Sequence, residues 1–399
     1  MARKRRSNCE TTYDPEQQRA SAVPLTLHSR RQRWVQLLHS QQYQPLINQI
    51  LEQELPKYTG GKILPDSLPT IIRECINILA SASSIFAAAV DGTLAQRIHG
   101  DANLQHESQI IQERARIQPS IYIHLLVDSY GIGPTPNQYS LIRETILQYL
   151  SSGSSHHELA NQIDNMTPPA VRPLLSNSGH RKYLWTSHHS PQHTETLSRF
   201  CAGISHRVSE TPRSRRDLPM QFPPTECGYS AHSHTRLAQH RHRQSSNYVM
   251  NLVEDVCAYL YQSGKLSERF TMQPFIIYLI FRPEQAAIAE ILCSGLLQVW
   301  IEGGGLNAYP AGRSVASARR VEGGRWRDWE EWARENTGLV GGVRGLRWRV
   351  EEDVRDLEEE MGEVWREALE SDEGDDSGDE DYVPDEVVEG LGNLRVDDE

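Results

Sequence analysis

Between Glu226 and Ser314 the chain carries a short set of residues whose types could do chemistry: an arginine, a histidine, a lone carboxylate and an asparagine. Arg236 and His240 stand four apart, so a helix places them one turn apart on the same face. The planar fork of an arginine gives two hydrogen bonds to one phosphate, and a histidine beside it assists proton transfer or phosphate binding. Glu290 lies alone in the apolar run AIAEIL, where a carboxylate is costly to bury without a partner or a metal. A surface glutamate on an amphipathic helix is the plainer alternative. GLNAYPAGRS closes the stretch, with Asn307 following a tight turn. Hydrolysis of a phosphodiester needs an activated water, a cation on the phosphate and a stabilised leaving oxygen.

The segments ECGYSAHSHTRLAQH, SSNYVMNLVED, RPEQAAIAEILCSGLLQVW and GLNAYPAGRS, in that order, resemble the GIY-YIG nuclease domain of homing endonucleases and of the incision nuclease of excision repair. Arg236 follows Gly228 by eight residues, where the family's arginine stands relative to the glycine of its second motif. Asn247 matches the asparagine that opens a helix in that family. The resemblance implies one divalent metal, Mg²⁺ or Mn²⁺, on a single glutamate, here Glu290. It further implies a phosphate clamp at Arg236, assistance from His240, and Asn307 as a brace. Tyrosines from two signature strands help to activate the water in that family. In this chain Glu226 occupies the place of the second-motif tyrosine, and the first motif is placed at Gly203-Ile204-Ser205, with serine for tyrosine. Tyr229 then offers a phenol from the neighbouring position, and His232 or His234 a base. The alternative is a protein that keeps the fold and binds nucleic acid or protein without chemistry.

These residues need elements to hold them. CAGISHRV and TECGYS read as short extended pieces, Thr235–Arg243 as a helix, and Ser245 or Ser246 as the cap of a helix carrying Tyr248, Leu252, Val256 and Leu260. MQPFIIYLIF, Met272–Phe281, is a β-branched and aromatic strand, followed by a helix over Glu284–Trp300. The expected class is α+β: a small GIY-YIG-like sheet flanked by helices at 200–320. An all-α domain is expected before it at 31–150, with helical runs at Ile110–Tyr130 and Tyr139–Leu150. Residues 1–30 read as a basic disordered leader, and 151–199, rich in Ser, His and Pro, as a linker. Trp326, Trp329 and Trp332 and a seam from Val350 to Val364 mark charged helices at 321–369. An acidic disordered tail is expected at 370–399.

The net charge of −12 is unevenly placed: residues 370–399 hold 14 acidic side chains against one arginine, so the remainder is close to neutral. Arg207, Arg213, Arg215, Arg216, Arg241 and Arg243 form local basic runs, candidates for sequence-independent phosphate contacts with DNA or RNA. The N-terminal or C-terminal helices are the expected site of any protein partner. Six scattered cysteines without a CxxC pair suit a reducing compartment. No apolar run approaches the ~18 residues of a membrane span. With the basic Arg3–Arg6 leader, this points to a nuclear or cytoplasmic protein, the nucleus preferred.

Overall fold

The run SIYIHLLV becomes a strand, Ser120–Val127 (β1), that is buried at every position. A centre strand covered on both faces needs apolar and aromatic residues throughout, which removes the alternation that marks a half-exposed strand. Thr225–Ser230 (β2) and Thr271–Leu279 (β3) pair with it antiparallel, in the order β2-β1-β3. This computed structural model describes residues 25–58, 67–186, 188–243, 247–312 and 315–339. Within them the protein is α+β, with helices on both sides of one three-stranded sheet. The expected seam at 350–364, the acidic tail and the basic leader up to residue 24 lie outside the described residues.

Two apolar cores meet at the sheet. The first joins it to Leu27–His39 (α1), Tyr43–Glu54 (α2), Leu68–Ala80 (α3) and Ser84–Val90 (α4), together with Gln285–Leu297 (α11) and Gly323–Asn336 (α12). Ala102–Arg114 (α5) leads into β1. The second core gathers Leu126 of β1 with Pro136–Leu150 (α6), His157–Asp164 (α7), Pro191–Ser209 (α8) and Tyr248–Gln262 (α10). The helix Ser233–Arg241 (α9) follows β2 directly and packs on β1 and β2. No single helix among the described residues is long and apolar enough to cross a membrane. The bent pair α3–α4 approaches that composition, and its apolar residues lie in the first core.

Four expectations are corrected by these elements. The region 31–150 is not all helical, because the run read as a helix over Ile110–Tyr130 ends its helical part at Arg114 and supplies the centre strand. The stretch 151–199 is not a plain linker. Ala160, Ile163, Tyr183, Leu184 and Leu197 are buried in the second core, and the buried Arg181 donates from Nε to the carbonyl of Tyr149 at 2.9 Å. CAGISHRV is not a strand. Leu197, Phe200, Cys201 and Ile204 recur at three- and four-residue steps inside α8, which starts on a Ser190 cap and Pro191. Gly203 is therefore no signature residue. A Cβ there would stand 1.8 Å from the Ile301 carbonyl oxygen, so the glycine lets α8 lie against the turn Ile301–Gly303. Finally, α10 is capped by Asn247, whose Oδ1 accepts from the Met250 amide at 3.0 Å; Ser245 and Ser246 fall outside the described residues.

Candidate active site

The antiparallel register sets the site. Gly228 lies opposite Tyr122 and Glu226 opposite His124, so these four share one face of the β1–β2 pair. The Tyr122 ring covers Gly228, where a Cβ would meet the Tyr122 Oη at 2.5 Å; only glycine leaves room for the phenol. A break in register between Ile121 and Tyr122 against β3 re-aims the strand at this tyrosine. His124 Nδ1 and Glu226 Oε2 are 2.8 Å apart, both residues buried.

Helix α9 brings the second half. Ser233 Oγ, in its first turn, is 2.6 Å from Ser120 Oγ at the start of β1, which pins the helix across the strand. Seven residues on, His240 Nε2 stands 3.3 Å from Tyr122 Oη, and its ring lies 4.7 Å from that of His124. His240 Nδ1 is buried and has no hydrogen-bond partner. Burial, then the neighbouring His124 and Arg236, hold the His240 pKa well below the usual imidazole value, so the ring is neutral at neutral pH. Burial and the charge of Glu226 raise the Tyr122 phenol, while Arg236, hydrogen-bonded to that phenol, acts the other way. Glu290 also raises it.

Glu290, on α11, is 8 % exposed, which excludes the surface-glutamate reading. Its Oε2 accepts from the Gly312 amide at 2.7 Å, and its charge reaches Tyr122, Cys227, Cys293 and Tyr58. Asn307 braces β2. Its Oδ1 accepts from the Cys227 amide at 3.0 Å and its Nδ2 donates to the Cys227 carbonyl at 2.8 Å. The side-chain amide thus extends the ladder along an edge that β1 does not pair. Asn247 Nδ2 points to the Leu306 carbonyl at 3.4 Å, tying the start of α10 to the same turn.

Arg236 and His240 on α9 and Glu290 on α11 thus face Tyr122, where the charges of Glu226, Arg236 and Glu290 meet, while Asn307 holds the outer edge of β2. Tyr229 does not join them. It alternates to the other face of β2 and places its Oη 3.2 Å from Ser317 Oγ. His232 and His234 are exposed at the start of α9. Of the basic residues, Arg213, Arg215 and Arg241 are exposed, and Arg216 donates from Nε to the Thr211 carbonyl at 3.0 Å. Arg243 is committed to the fold, with its guanidinium on Asn251, Glu254 and Asp255. Arg207 is buried on the carbonyls of Gly304 and Phe222.

Tyr122 and His124 are the site residues that reading the sequence missed. The signal for them was SIYIHLLV itself, a polar histidine and a tyrosine two apart in an otherwise apolar run. No protein-family model, curated protein or solved structure matches the chain significantly.

Proposed function

We propose that this chain is a diverged GIY-YIG-type phosphodiester hydrolase acting on nucleic acid in the nucleus or cytoplasm. The observation that carries the reading is the convergence on one phenol. Arg236, His240, Glu226 and Glu290, from one strand and two helices, all act on the hydroxyl of Tyr122 or lie against it. The antiparallel neighbour of the Glu226-Cys227-Gly228 strand begins Ser120-Ile121-Tyr122. That strand supplies the tyrosine the resemblance asks for, with serine in place of the first glycine and the segment 128–224 inserted before its partner.

In this reading Arg236 clamps the scissile phosphate through its fork. His240, one helical turn on from Arg236 on the same face, assists phosphate binding. Tyr122 orients that histidine through its hydroxyl, and Asn307 fixes the strand carrying Glu226 and Gly228. A lone carboxylate suits Mg²⁺ or Mn²⁺, which keep several waters, and the Gly312 amide holds the Glu290 carboxylate in place. When bound there, the ion supplies positive charge at the scissile phosphate. Exposed Arg213, Arg215 and Arg241 lend salt-dependent, sequence-independent affinity.

The test is cleavage of single-stranded and branched DNA and RNA by the full chain with Mg²⁺ or Mn²⁺, beside Glu290→Gln and Arg236→Ala. Each substitution is expected to lower the rate about 10²–10³-fold, in line with the loss of one transition-state contact. Cutting that ignores both changes rejects the reading. The burial of Glu226, His240 and Glu290 favours a second reading, a fold kept for binding alone. Its signature is salt-sensitive binding without cutting.

A further inference from the structure

We propose that His124, Glu226 and His240 form a binding site for a first-row divalent transition ion of the zinc class, distinct from the lone carboxylate of Glu290. One ligand atom from each residue lies within 4.8 Å of the other two. The residues are 2 %, 5 % and 4 % exposed respectively. Two elements of the sheet and one helix contribute, so the three side chains are held by the fold rather than by a loop.

The first two ligands already stand near coordination spacing. His124 Nδ1 and Glu226 Oε2 are 2.8 Å apart, while two ligands at about 2.0–2.2 Å from one tetrahedral ion sit about 3.3–3.6 Å from each other, so a side-chain shift of about half an ångström admits the ion. His240 supplies the third. Its Nδ1 is buried without a hydrogen-bond partner, and its Nε2 is 3.3 Å from the Tyr122 hydroxyl. That is how a metal-ligating imidazole is commonly held, one nitrogen fixed by a neighbour and the lone pair of the other left for the ion. A buried nitrogen with no partner weakens a fold unless something fills the need.

The donor set selects the ion. Two imidazoles and one carboxylate suit Zn²⁺ and its neighbours, whereas Mg²⁺ prefers an all-oxygen shell. Three protein ligands leave one position of a tetrahedral ion open, as in sites that bind water or substrate. The carboxylate offsets half the charge of a divalent ion, and Tyr122 orients His240 from behind. The inference needs no nuclease activity, since it concerns occupancy alone.

The test uses the full chain stripped with chelator and dialysed. Co²⁺ is titrated in while visible absorption reports its coordination, followed by competition with Zn²⁺ and metal counting by mass spectrometry. One equivalent is expected, with the intense bands of a four-coordinate ion that Zn²⁺ displaces and a hundredfold excess of Mg²⁺ does not. Glu226→Gln keeps the volume of the side chain and removes its charge; affinity is expected to drop tenfold or more. His240→Gln is the second variant, and circular dichroism of both confirms the fold. Glu290→Gln and His234→Ala are expected to leave the Co²⁺ bands unchanged. Absence of a bound equivalent in the parent protein overturns the proposal, as does binding that survives both triad substitutions in folded protein. A cleavage assay that fails while the Co²⁺ bands persist overturns the hydrolase reading alone.

Discussion

Two buried polar clusters flank the sheet, and they differ in how completely they satisfy themselves. In the second core Asp255, 1 % exposed, accepts from the hydroxyl of Tyr183, from Thr167 Oγ1 at 2.7 Å and from Arg243 Nη2 at 3.1 Å. Nearby Asp164 accepts from Tyr149 Oη at 2.7 Å and from the Lys182 amide. Both oxygens of each carboxylate there meet a protein donor, so the network ties α7, α10 and the segment around Tyr183 together. The cluster of His124, Glu226 and His240 is equally buried, yet the His240 Nδ1 is left over. A closed network holds a fold, and an open one keeps a place for something else. The contrast also explains the fate of Arg243, whose charge the closed network consumes.

The sharpest way to break the comparison is Asp255→Ala. It removes the acceptor of the Tyr183 and Thr167 hydroxyls and one of the two carboxylates that Arg243 meets, and should cost about 2–4 kcal/mol, read from the urea midpoint. Glu226→Gln should cost well under half of that; equal losses would mean that both clusters are structural. A pH titration of stability comes next. Burial raises the Asp164 carboxyl to about 6, above its unfolded value, although Tyr149 and Lys182 oppose the shift. The folded state therefore binds the extra proton between those two values. The Asp164 contribution is fully present below the unfolded pKa and is lost as pH rises through about 6, an effect of about 3 kcal/mol at 1.36 kcal/mol per unit. Asp164→Asn should flatten that slope, and an unchanged slope would assign it elsewhere.

Smaller effects sharpen the open cluster. Gly228→Ala drives a methyl into the Tyr122 hydroxyl and should cost about 1–3 kcal/mol. The same change should move the His240 imidazole resonances, because the ring loses its neighbour at Nε2; resonances that stay put would disprove the contact. Least of all is His240→Met. Replacing a buried, half-satisfied imidazole by an apolar side chain should change stability by no more than about 1 kcal/mol while abolishing function. A collapse of the fold would put His240 among the structural groups.

The parts of the site that local spacing encodes were legible in the sequence. Arg236 and His240 share a helix turn, Glu290 interrupts an apolar helix, and Asn307 follows its turn; each signal sits within a few residues. The sheet was harder because its centre strand is buried on both faces and shows no alternation. Its partner β2 begins only after the segment 128–224, so no neighbouring sequence hints at the pairing. Gly203 misled for a different reason, since a glycine that admits a close helix contact looks in sequence like one that admits a turn. The Ser- and His-rich stretch after residue 150 misled as well. Composition does not reveal that Arg181 and Asp164 would be anchored inside.

The long segment between β1 and β2 has a consequence for how the chain reaches its native state. Two register partners, Leu125 and Thr225, are separated by 100 positions along the chain. Joining them through a random coil would carry a large loop-closure entropy, and pairings of such separation slow folding. The segment itself shortens that search, because α6 and α8 pack on each other and α8 lies on the turn at Ile301, so its own structure draws its ends nearer. The helical segment thus holds β1 and β2 within reach of each other, and the face that carries Tyr122, His124, Glu226 and Gly228 is made where they meet.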